Sequence, residues 1–173
     1  MLMIRRIWIP LAAASLALAA LSAQAQQTSF SATLTGASTL PEPVNTKAEG
    51  VLKLVASADG KKLSYTITVT NLKNAAAADM HLGPPIANGP LIAKLFPTNG
   101  AAPKKGDFSG VLVEGTLDAG DLIGPLTGSP LSDLIEEIRN GNAYVNVHTS
   151  DGVDPPNSGP GDYRLGEIRG QIE

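Results

Sequence analysis

The chain has 173 residues and a formal net charge of −3, enough for one domain, and its acidity argues against nucleic acid and anionic membrane surfaces as partners. It contains no cysteine, which excludes a disulfide framework, thiol chemistry and thiolate metal sites. Aromatic residues make up only 4%, a thin supply for platforms that stack sugars or bases.

The N-terminus reads as a secretory signal. Arg5 and Arg6 precede the apolar run Ile7–Leu21, broken only by Ser15, and Ala23-Gln24-Ala25 supplies the small-x-small cleavage pattern. The run falls short of the roughly 20 apolar residues that a spanning helix needs, so residues 1–25 are expected to be removed rather than to anchor the chain. No cysteine follows for lipid attachment. The expectation is a periplasmic or secreted protein, without a membrane anchor after cleavage, folded from residues 26–173 as one domain.

Strand patterns then follow in order. Phe30, Ala32 and Leu34 alternate with Ser31, Thr33 and Thr35, and Pro41 and Pro43 interrupt what comes next. Gly50–Ala56 and Lys61–Leu72 are the next two strands, joined at Asp59-Gly60, residues suited to a tight hairpin turn. A separate strand is expected over Ala78–Leu82, with Asp79 and His81 on the face opposite Ala78, Met80 and Leu82. Leu91–Phe96 and Phe108–Leu117 complete the middle of the chain, with a loop over Pro97–Asp107.

One helix is expected near 131–139, where Leu131, Leu134, Ile135 and Ile138 form an apolar stripe. Ser129 or Ser132 is placed to cap it, Pro130 suits its first turn, and Asn140-Gly141 supplies a left-handed stop. Asn140–Thr149 and Gly166–Ile172 read as a final pair of strands joined by a polar loop. On the first, Tyr144, Asn146 and His148 share the polar face. On the second, Glu167, Arg169 and Gln171 do. The whole pattern predicts an all-β fold, an antiparallel Greek-key β-sandwich with one short helix.

The order of these features resembles the CHRD domain, a module named after chordin and also found alone in exported bacterial proteins. The resemblance rests on LSYTITVTNL at Leu63–Leu72, His81-Leu82-Gly83 followed by Asn88-Gly89-Pro90, GTLDAGDL at Gly115–Leu122, AYVNVHT and GEIRGQI. It implies an immunoglobulin-like or superoxide-dismutase-like sandwich with a binding or structural role, and a protein or cell-envelope component as partner. Where members of the family often carry His-x-His, this chain has Asp79-Met80-His81, so one imidazole is replaced by a carboxylate.

His81 and His148 are the only two histidines, and both fall on polar strand faces. If their strands are neighbours, Asp79, His81 and His148 converge into a Zn or Cu site with an open position for water. Asp151 is an alternative carboxylate for that site. The alternative for each histidine is a hydrogen-bonded strand residue bracing a loop. Tyr144, Asn146, Glu167 and Arg169 form a candidate ligand face, although Glu167 and Arg169 also suit a cross-strand ion pair. Asp151, Asp154 and Asp162 share a loop that reads either as a Ca²⁺ site or as a solvated acidic loop. No nucleophile elbow or phosphate-binding loop is present, and Ser64, Ser109, Ser150 and Ser158 have no marked partner. The functional expectation is therefore a non-enzymatic exported binding or structural protein without a cofactor, with metal binding, redox or hydrolytic, as the alternative.

Overall fold

A computed structural model describes residues 28–98, 102–153 and 155–173. The expected signal at 1–25 and Asp154 lie outside the described residues. The elements are β1 (Ser29–Thr35), β2 (Glu49–Ala56), β3 (Leu63–Leu82), β4 (Leu91–Phe96), β5 (Lys104–Leu117), α1 (Leu131–Arg139), β6 (Ala143–Thr149) and β7 (Ile168–Gln171).

The two strands expected over 61–72 and 78–82 are one. β3 runs for 20 residues, and its inward face changes phase along the way. Leu63, Tyr65, Ile67 and Val69 are buried in its first half, whereas Ala78 and Met80 are buried in its second. Bulges between the halves cause the switch, since each extra residue turns the following side chains to the other face. Asn71 and Asn74 take positive φ values of 53° and 51° at these irregularities, a conformation Asn tolerates better than most residues. The Asn74 side chain secures the bend by accepting from Gly106 N (2.9 Å) and donating to Gly161 O (3.1 Å). Asp79 and His81 thereby point away from the apolar core.

The long strand also changes the architecture. Its first half pairs with β2 and its second half with β6, while β6 pairs with β7 and β7 with β1. Since β1 pairs with β2, the sheet closes into a five-strand ring rather than the expected sandwich of two sheets. All of these pairings are antiparallel, and ring neighbours follow chain order apart from the β4–β5–α1 detour. β4 and β5 lie along the other edge of β3. A single strand that spans both halves leaves no free edge between them, which is why separate sheets do not form.

Closure depends on β7. Thr35 is opposite Arg169, and the ladder continues through reciprocal backbone bonds between Ser31 and Glu173 at 2.8 and 2.9 Å. Gly170 makes the approach possible, because a Cβ there would collide with the Thr33 carbonyl oxygen. The inward alternates form one core that includes Leu34, Leu52, Ile67, Met80, Val145, Val147 and Ile168. The α1 stripe of Leu131, Leu134, Ile135 and Ile138 joins the same core, each such side chain contributing about 1.5–3 kcal/mol on burial. Pro130, not a serine, occupies the helix N-cap, and no side chain caps it. Gly141, with φ of 69°, ends the helix as its sequence suggests.

Candidate metal centre

The antiparallel register of β3 and β6 sets Ala77 opposite His148, Asp79 opposite Asn146, and His81 opposite Tyr144. Asp79, His81 and His148 therefore lie on one face of two adjacent strands. One ligand atom from each of the three lies within 4.8 Å of the others, and all three side chains are half-buried. Asp79 Oδ2 is 3.4 Å from His148 Nε2.

Both imidazoles are oriented alike. His81 Nδ1 pairs with Gly89 O at 3.1 Å, and His148 Nδ1 with Arg164 O at 3.0 Å. A carbonyl only accepts, so each Nδ1 carries the hydrogen and each neutral ring keeps its Nε2 lone pair. Both Nε2 atoms are buried and make no hydrogen bond. A lone pair set beside a carboxylate is unfavourable unless a positive charge, either a proton or a metal cation, sits between them. Burial holds the His81 imidazole below its ordinary value, despite the opposing carbonyl of Gly89 and charge of Asp79. Burial also raises the Asp79 carboxyl, partly countered by His148, His81 and Lys94.

The residues of the candidate ligand face are buried, and they support the histidines. The Tyr144 ring stacks on His81 with centroids 5.1 Å apart and planes within 10°. Its hydroxyl accepts from Gly89 N at 2.9 Å, so the same tyrosine packs His81 and places that ring's carbonyl partner. Arg169, only 2% exposed, sets its guanidinium 3.9 Å above the Tyr144 ring. It also donates to the carbonyls of Ser38 (3.4 Å), Pro84 (3.3 Å), Pro85 (3.2 Å) and Ala87 (3.2 Å). Gln171 adds bonds to Gly83 O (3.0 Å) and Gly141 O (2.7 Å). The 83–90 loop is thus held from β7, and Gly89 must lack a side chain because its Cβ would strike the Leu82 carbonyl.

Glu167 braces the other histidine. It is fully buried and accepts from Thr46 Oγ1 (2.6 Å), Thr149 Oγ1 (2.6 Å) and Gly161 N (2.8 Å). Thr149 Oγ1 accepts in turn from Tyr163 N at 2.9 Å, next to the Arg164 carbonyl that holds His148. Glu167 and Arg169 thus have separate partners instead of the cross-strand ion pair their spacing suggests. The physical reason is depth: once β7 closes the ring, its Ile168 face packs in the core and loop residues cover Glu167 and Arg169 on the other. Sequence reading placed these side chains together but missed the supporting roles of Gly89 and Arg164, whose backbone carbonyls carry no side-chain signal.

The acidic loop behaves differently. Asp151 is exposed and accepts from Val153 N at 2.8 Å, while Asp162 is buried and accepts from Ser158 N and Oγ at 3.1 Å. Among the described residues, only Asp79, His81 and His148 gather as a possible ligand group. Asp151 is not part of it.

The CHRD domain description matches residues 30–156, most of the chain, from the second residue of β1 to the end of β6 and beyond. The chain belongs to the CHRD domain family. No curated protein and no solved structure gives a significant match. The matched CHRD span holds Asp79, His81, Asn146 and His148 but ends before β7. Membership suggests a binding or structural role for this CHRD domain.

Proposed function

We propose that this CHRD domain is an exported, non-enzymatic binding protein whose geometry best suits a divalent transition-metal ion, Zn or Cu, held by Asp79, His81 and His148. One observation carries the reading. Two imidazoles, each fixed through Nδ1 on a backbone carbonyl, keep buried Nε2 atoms without a hydrogen bond, and one ligand atom of each gathers with the Asp79 carboxylate within 4.8 Å, His148 Nε2 lying 3.4 Å from Asp79 Oδ2. Two nitrogens and an oxygen suit Zn or Cu, and carbonyl-oriented imidazoles are the usual outer support of such ligands.

Export rests on the leader pattern of Arg5, Arg6, Ile7–Leu21 and Ala23–Ala25, and supports a periplasmic or secreted location. Among the described residues no helix is long and apolar enough to cross a membrane. The test is elemental analysis of the untagged protein from its native compartment, beside His81→Ala and His148→Ala. Near-stoichiometric Zn or Cu, lost in both variants, is the expected result. A folded wild type without metal, and with no affinity for added Zn or Cu, overturns the reading. The search then passes to a protein or cell-envelope partner.

A further inference from the structure

We infer that Asn146 supplies a fourth donor, its Oδ1, so that the ion is held in a closed set of two nitrogens and two oxygens. This deepens the metal reading and rests on it. The consequence is functional, because a closed site sequesters an ion whereas a three-ligand site leaves a position for substrate or water.

The placement comes from the ladder. Asn146 stands directly opposite Asp79 on β3, and residues so opposed have Cβ atoms about 4.5–5.5 Å apart. It shares its strand face with Tyr144 and His148, two residues away on either side. Asn146 Oδ1 is buried and accepts no hydrogen bond, an arrangement that calls for a partner. Its other cross-strand neighbour, Arg169, is the obvious candidate. That guanidinium is already committed to four carbonyls and to the Tyr144 ring, and its Nε is also left without a partner. Two buried groups that face each other across a ladder and still do not bond leave Oδ1 available to the centre.

The amide is also held in place. Gly166, with φ of 123°, passes so close that a Cβ there would lie 3.3 Å from Asn146 Cγ. With Asp79 opposite it on the ladder and the Gly166 backbone close to its amide, the side chain has little room to swing outward. An amide oxygen is a neutral donor, so adding it leaves the charge of the site with the single carboxylate. Two imidazoles, one carboxylate and one amide oxygen then fill a four-coordinate shell.

Co²⁺ is the probe, loaded into the untagged wild type and into Asn146→Ala and Asn146→Asp. Its visible absorption is intense in four-coordinate sites whether the fourth ligand is a protein donor or water, so the discriminating reagent is azide, which replaces a bound water and shifts the bands but finds no such position in a closed shell. The wild type should give an intense spectrum that azide leaves unchanged. Asn146→Ala should bind Co²⁺ on the order of 10-fold or more weakly, and its bands should shift on addition of azide. Asn146→Asp should keep the closed spectrum. A wild-type adduct that takes up azide overturns the inference without any variant, so misfolding of Asn146→Ala cannot shield it. Asn146→Ala with wild-type affinity and no response to azide also overturns it. A wild type that binds no Co²⁺, Zn²⁺ or Cu²⁺ removes the metal reading itself, which is a separate failure.

Discussion

Two half-buried groups beside one another, Asp79 and His81, respond oppositely to pH, and both responses follow from burial. His81 is held below its ordinary value of 6.5, so just below that pH the unfolded chain takes up a proton that the folded chain refuses. Its contribution to stability is complete above 6.5 and is lost as pH falls toward the folded-state value. Asp79 is raised above 3.8, so the folded chain keeps a proton that the unfolded chain has lost, and this contribution falls as pH rises from 3.8 to the folded-state value. Urea unfolding of the metal-free protein across these windows should show stability rising toward 6.5, and His81→Gln should flatten that rise. An unchanged slope in the variant would assign the dependence to another group. At the same scale, Glu167→Leu would leave Thr46, Thr149 and Gly161 without their shared acceptor. Buried donors left unpaired cost about 1–3 kcal/mol each, so the thermal midpoint should drop by several degrees or the fold should be lost.

At the scale of elements, β7 is short but acts at three places. Gly170 lets it lie against β1, Arg169 fixes the 84–87 carbonyls, and Glu167 just before it secures the preceding loop. Arg169→Lys keeps the charge but loses the planar fork that reaches several carbonyls while stacking on Tyr144. It should weaken metal binding on the order of 10-fold with every proposed ligand residue intact, as loss of outer support does elsewhere. Calorimetric titration with Zn²⁺ measures this, and equal affinity would detach the 83–90 loop from the centre. Gly170→Ala, by contrast, forces a side chain onto the Thr33 carbonyl and should destabilise the fold by about 1–3 kcal/mol. Its effect on zinc should follow the loss of folded protein only. Elements also show the limits of local reading. Alternation marked nearly every strand, yet Lys61–Leu72 and Ala78–Leu82 read as two because the bulges reset the period between them.

For the whole molecule, ring closure and the proposed centre are coupled, since β3 and β6 belong to both. A chain that ends at residue 165 retains the whole matched CHRD span but lacks β7. It should lose cooperative thermal unfolding, as measured by circular dichroism, because β1 and β6 would both become open edges. Metal that binds only the folded state should raise the full chain's midpoint with ion concentration by mass action, and Asp79→Ala should abolish that rise. From the sequence alone came an all-β domain behind an expected export signal, the apolar stripe of the helix, and a short list of chemically able residues in which Asp79, His81 and His148 already stood together. These are local properties, written in periodicity and residue type. The closed ring, the burial of Tyr144, Glu167 and Arg169, and the convergence of the two histidines were decided only by tertiary structure. Each depends on which strands pair and in what register, a choice made by contacts between residues far apart in the chain and invisible to any local window.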